Sequence, residues 1–198
     1  MLSSVYLAAE DSPGLAVGRK LITEAHPLTV YREENARGYG KLKAKARNYH
    51  QMGVRMPVLM LTDLDENECP SEIIKEWIGD APSVGFLFRV CVREIEAWLI
   101  ADRERLAEYF GISPAKISSS PESLDDPKAE LIRLSQLSRQ RAIRAAFMPH
   151  QSAPIGPGYN EYLERFIIND WRPDVATSFA PSLAKARLRI RELAAIIE

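Results

Sequence analysis

The chain of 198 residues has only two cysteines, Cys69 and Cys91. They stand in no CxxC arrangement and in no Cys/His ligand spacing, which argues against structural zinc and against a disulfide framework. Long apolar runs are missing too. The longest late run, "VGFLFRVCV", is interrupted by Arg89 and is far short of the ~20 residues that span a bilayer. Charge of one sign is also missing: 26 Lys and Arg against 27 Asp and Glu leave a net charge of −1. There is no global basic field of the kind that drives non-specific nucleic-acid binding, so any such site must be a local patch. The opening "MLSSVYLAAEDSPG" has no basic start, and Glu10 and Asp11 cut its apolar run, which makes a poor signal peptide. These absences describe a soluble chain of the reducing cytoplasm with no membrane partner.

What is present is ordinary globular composition, 46% hydrophobic and 27% charged, arranged in alternating strand-like and helix-like stretches. "SVYLAA" reads as a strand. "DSPG" follows, with Asp11 or Ser12 as cap and Pro13 in the first turn of a helix reaching about Ala25. "PLTVYR" is a second strand and "RGYGKLKAKARNYHQ" a second helix. "PVLMLT" is a third strand, apolar on both faces as central parallel strands are. "PSEIIKEWIG" is a third helix and "VGFLFRVCV" a fourth strand. The βαβαβαβ order predicts an α/β parallel sheet flanked by helices. From about Arg93 the period becomes helical. Helices are expected over "REIEAWLIADRERLAEYFGI" and near Lys128 to Phe147, Asn160 to Trp171 and Ser182 to Ile197. The Ser/Pro/Asp-rich loop at Ile112 to Asp126 sets a soft boundary between an α/β domain, 1–112, and a helical subdomain, 113–198.

Functional groups of an open α/β sheet gather at the carboxyl ends of its strands. Glu10 ends the first strand; Asp63 and Asp65, in "TDLDENE", end the third. Two carboxylates so close repel one another unless a cation or donor neutralises them. The D-x-D is therefore either a solvated turn or a metal site. An EF-hand beginning at Asp63 fails because its sixth and twelfth positions are Glu68 and Ile74. An aspartyl-nucleophile phosphatase carries its DxD after the first strand, not the third. "GLAVGRK" lacks P-loop spacing. Three hard carboxylates with room for water suit magnesium.

A second candidate is the segment from Asn35 to Pro57, which holds Arg37, Lys41, Lys43, Lys45, Arg47 and Arg55 and no acid. It reads either as a grip on a phosphate backbone or as a solvated lysine-rich helix. The run Lys185, Arg187, Arg189, Arg191 alternates with apolar residues, as a helix face whose stems lie over its neighbours. Ile95, Trp98 and Leu99 are expected in the core. His26 and His150 have no ligand spacing.

Glu10 after strand one and "TDLD" after strand three resemble the TOPRIM domain of topoisomerases, primases and OLD-type nucleases. "REIEAWLIAD" resembles the E-x-E-A-x-L segment of a TOPRIM-like family of unknown function, often encoded beside an AAA ATPase in phage-defence loci. The tail from "GPGYNEYLERFIINDW" onward is similar to that family's C-terminal helices. The resemblance implies a Rossmann-like TOPRIM sheet. It implies Mg²⁺, or Mn²⁺, on Glu10, Asp63 and Asp65, with Glu94 or Glu96 as a further carboxylate. Glu94, nearer the end of strand four, is favoured because residues two apart on a helix face different ways. The implied activity is metal-dependent hydrolysis of nucleic acid, DNA before RNA, in an anti-phage defence system with an AAA ATPase partner. "DSPG" replaces the glycine-rich helix start of topoisomerases, which argues against strand rejoining. The alternative is a non-catalytic TOPRIM-like module that docks on the ATPase.

Overall fold

The computed structural model describes residues 3–79 and 81–197. Four strands form one parallel sheet: β1 Ser4–Ala9, β2 Thr29–Asn35, β3 Val58–Asp63 and β4 Phe86–Cys91, in the order β2-β1-β3-β4. Helices α1 Ser12–Glu24, α2 Tyr39–Met52 and α3 Pro70–Ile78 make the crossovers. Each begins where its local chemistry dictates. Asp11 caps α1, its carboxylate accepting from the Gly14 amide at 2.8 Å, and Pro13 stands in the first turn. Pro70 starts α3, and Gly79, at φ +81°, ends it.

The strand alternation sorts the core. Tyr6, Ala8, Val58, Met60, Phe86, Phe88 and Val90 pack with Leu42, Ala46, Ile73 and Trp77 of α2 and α3. The intervening residues face the other side, where α1 lies close to β1 and β3. A Cβ on Gly18 would come within 2.5 Å of Leu7 Cδ1 and 3.2 Å of Leu61 Cδ1. Only glycine allows this approach. The central strands β1 and β3 are buried almost throughout, whereas β2 is an exposed edge with Tyr31 at its surface.

By its contacts the chain divides into residues 1–92 with 184–198, and residues 93–183. The sequence reading set its boundary at 112/113. The contact division falls instead at the last turn of sheet-forming chain, and the C-terminal stretch returns to the first unit. The second unit is helical: α4 Ile95–Ile100, α5 Arg103–Phe110, α6 Pro127–Gln136, α7 Arg141–Phe147, α8 Tyr159–Asn169 and α9 Pro173–Ala176. Helix α10, Pro181–Ile197, starts there and continues into the first unit. Ile95, Trp98 and Leu99 are buried, with Phe110, Phe147, Tyr159, Phe166 and Trp171.

Two helices expected to be continuous are broken. Between α4 and α5, Asp102 leaves helical geometry. Its wholly buried carboxylate caps the Arg105 amide at 3.4 Å and accepts from Arg172 Nη2 at 2.7 Å and the Arg172 amide at 2.8 Å. Between α6 and α7, the buried Ser138 hydroxyl accepts from the Gln140 amide at 3.1 Å. In both cases a short polar side chain competes with the helix for backbone partners, which periodicity cannot register. Among the described residues, no helix is long and apolar enough to cross a membrane.

Candidate functional site

The order β2-β1-β3-β4 has its switch point between β1 and β3: the chain leaves β1 towards one edge and, after crossing back to β3, runs on towards the other. Ligands of open α/β sheets bind in the crevice that such a reversal opens at the strand ends. Glu10 and Asp63 stand at that place. The Glu10 carboxylate reaches across to β3, where its Oε1 accepts from Thr62 Oγ1 at 2.5 Å and from the Asp63 amide at 3.1 Å. Burial pushes the Glu10 carboxyl above the usual range. The Thr62 and Asp63 hydrogen bonds oppose that shift, and the charges of Asp65 and Asp11 add to it. Asp65 is thus near enough to be felt by Glu10.

The loop after β3 is a tight turn. Leu64 is buried, its amide donates to the Cys91 carbonyl at 2.9 Å, and its own carbonyl accepts from the Asn67 amide at 3.0 Å and from Asn67 Nδ2 at 2.8 Å. Asp65 occupies the left-handed region at φ +49°, a conformation that aspartate tolerates better than most residues at a modest cost. Leu64 anchors the turn between the two aspartates, and Asp65 follows just past the end of β3, its charge felt at Glu10. Of the two sequence alternatives, the turn is the one seen in the backbone.

The loop after β2 closes the rim. Arg37 is left-handed at φ 60° and Gly38 follows at φ 112°. The Gly38 amide donates to the Glu10 carbonyl at 2.9 Å, so α2 begins next to Glu10. This separates the basic residues by position. Arg37 and Lys41 lie at the rim, exposed, while Arg47, six residues further along α2, is about 9 Å down the helix axis. Two of these six are engaged by acids: Lys43 Nζ pairs with Glu76 at 2.6 Å, and Lys45 pairs with Glu34. Glu34 also accepts from the Tyr6 hydroxyl at 2.5 Å. Burial tends to raise the Glu34 carboxyl, but the Lys45 and Tyr6 hydrogen bonds hold it below the usual range. The same burial and bond push the Tyr6 phenol up to about 12.

Glu94 and Glu96 belong to the second unit. Glu94 is the extended residue before α4, and its carboxylate accepts from the Lys128 amide at 2.8 Å and from Lys128 Nζ at 3.0 Å. Glu96 lies inside α4, almost wholly buried, and its Oε1 accepts from the Tyr159 hydroxyl at 2.8 Å. Among the described residues its Oε2 has no hydrogen-bond partner. Burial raises its pKa to about 7, with Lys128 opposing and Glu94 adding to the shift.

Thr62 and Gly38 are the contributors that sequence reasoning passed over. Thr62 stands within "TDLD", where only the acids carry a metal-ligand pattern. Gly38 gives no signal without the fold. Among the described residues, no three Asp, Glu, His or Cys side chains form a preassembled metal cage. Comparison with protein-family models, with curated proteins and with solved structures finds no match for this chain.

Proposed function

We propose that the first unit is a TOPRIM-like domain acting as a magnesium-dependent nuclease. The observation that carries this reading is the meeting of Glu10 with Thr62 and the Asp63 amide at the switch point, with the charge of Asp65 felt at Glu10. The donor set fits the ion. Magnesium is held by one or two carboxylates and completes its shell with water and substrate phosphate, so it needs no all-protein cage. When bound there, it would supply an activated water and charge stabilisation on the phosphate under attack.

The chain's own residues have distinct duties in this reading. Thr62 and the Asp63 amide orient the Glu10 carboxylate and favour its ionised form. Leu64 fixes the turn that presents Asp63 and Asp65. Arg37 and Lys41 hold the phosphate backbone where α2 meets the rim. The sequence resemblance adds an AAA ATPase partner and a role as effector in anti-phage defence.

The test is cleavage of labelled DNA, RNA and mononucleotides with Mg²⁺, Mn²⁺ or EDTA. Metal-dependent cutting of a polynucleotide, lost in Asp63→Asn/Asp65→Asn, is the expected result. A metal-binding protein that cuts only mononucleotides would mark a different phosphoryl-transfer enzyme. A folded protein without metal-dependent activity would favour the non-catalytic docking module.

A further inference from the structure

Arg89 is out of place in β4. Phe86, Phe88 and Val90 lie in the core beneath α2 and α3, so Leu87, Arg89 and Cys91 project from the opposite face. Arg89 is level with Leu61, two residues before Asp63 on β3. Its Nε–H donates to the Phe88 carbonyl at 2.7 Å. Among the described residues its part-buried guanidinium forms no ion pair. Burial holds its pKa below the usual arginine range, and the charge of Arg189 adds to the effect.

Helix α10 explains the second arginine. Ala186, Ile190, Leu193 and Ala194 form its buried stripe. At about 100° per residue, Arg187 and Arg189 flank that stripe on opposite sides. Arg187 Nη2 reaches Glu24 at the end of α1, at 3.1 Å, and Arg189, on the other flank, is close enough for its charge to act on Arg89 of β4. Arg189 pairs with Glu192 at 2.7 Å, but both side chains are exposed, and such a pair yields readily to a competing anion. A part-buried cation without a counter-ion, with a second cation beside it, is half of an ion-pair network. A guanidinium fork matches two phosphate oxygens at once.

We propose that Arg89 and Arg189 form a phosphate-binding site at the β4 edge, which takes a backbone phosphate of the strand acted on at the carboxylate rim. It rests on the nuclease reading for its choice of nucleic acid as the source of the phosphate. From strand spacing, the Arg89 and Asp63 Cα atoms are roughly 8 Å apart. That is within a few nucleotides, at a rise of about 3.4 Å each.

The experiment measures affinity of the full chain for a fluorescein-labelled single-stranded 20-mer by anisotropy. Ca²⁺ replaces Mg²⁺, and the salt concentration is varied. Arg89→Gln should weaken binding roughly tenfold and lower the salt slope by about one; Arg189→Gln should do the same to a smaller extent. Arg165→Gln, in the second unit and paired with Glu161, should change neither. If Arg89→Gln alters the melting temperature, the salt slope of Arg189→Gln decides. Affinity and slope within twofold of Arg165→Gln, or no binding by the wild type, overturn the proposal. So does inorganic phosphate raising the melting temperature of wild type but not of Arg89→Gln, with oligonucleotide binding equal in both: the site then serves a small phosphate. The two readings fail separately. A wild type that binds in an Arg89-dependent way and does not cut refutes the nuclease alone, whereas cutting with unimpaired Arg89→Gln binding refutes the phosphate site alone.

Discussion

Thr62 donates its hydroxyl to Glu10 Oε1 at 2.5 Å, which ties the end of β1 to the end of β3 through side chains where strand pairing gives out. The bond stabilises the ionised carboxylate against the burial that disfavours it. Thr62→Val removes the donor and keeps the shape. Fold stability should fall by about 1 kcal/mol. The acid limb of the pH–rate profile should move to higher pH, because Glu10 loses a partner that favours its charged form. Rates measured from pH 5 to 9 at saturating Mg²⁺ check this; an unmoved limb would detach Thr62 from the site.

The ion pairs around α2 divide its cations into two groups. Lys43 and Lys45 are engaged with Glu76 and Glu34, whereas Arg37 and Lys41 are exposed at the rim. Lys41→Gln should weaken oligonucleotide binding several-fold and lower the salt slope by about one. Lys43→Gln and Lys45→Gln should change affinity little. Equal losses across all three would return the whole helix to a diffuse electrostatic role.

Glu96 makes stability depend on pH. Its pKa in the fold is about 7, against about 4.3 for an unperturbed glutamate. The folded state therefore binds the extra proton. The resulting stability is fully present below about pH 4.3 and is lost as pH rises to 7 and beyond. Glu96→Gln, which cannot ionise, should flatten this slope and exceed the wild type by about 1–3 kcal/mol at pH 8. Urea denaturation at pH 5, 6.5 and 8 measures it. A wild-type profile equal to that of Glu96→Gln would show that Lys128 and Tyr159 keep the carboxylate ionised throughout.

Asp102 is a buried acid held by several donors. It accepts from the Arg172 amide, Nε and Nη2 at 2.8, 3.1 and 2.7 Å, and caps the Arg105 amide. Asp102→Ala leaves those donors without their acceptor and should cost about 3–5 kcal/mol. Asp102→Asn should cost less, because one carbonyl oxygen can still accept. Calorimetry of the two variants gives the ranking, and similar melting temperatures for Asp102→Ala and wild type would contradict it.

The sheet was legible because its strands carry their own evidence. Ser4–Ala9 is buried on both faces, and its start and the cap at Asp11 are where composition places them. β2 was placed two residues early and three short, since its exposed edge lacks an apolar pattern. In the helical half the breaks at Asp102 and Ser138 were hidden, because they depend on partners such as Arg172 that lie distant in sequence. The places of Glu10, Asp63 and Asp65 at or just past the ends of β1 and β3 could be read from the strand pattern. That Asp65 is left-handed and Glu10 spends an oxygen on Thr62 could not. Glu94 and Glu96 come from the resemblance, with Glu94 favoured for its place near the end of strand four, and each takes a partner within the second unit, Lys128 and Tyr159.

The central claim is that Glu10, Asp63 and Asp65 share a divalent ion, and Mn²⁺ binding followed by electron paramagnetic resonance tests it most directly. The account predicts that wild type depletes the free-Mn²⁺ signal, that Mg²⁺ competes for the same sites, and that Asp63→Asn/Asp65→Asn and Glu10→Gln, both folded, lose the binding. Equal Mn²⁺ binding by wild type and both variants, or none by any of them, would contradict it.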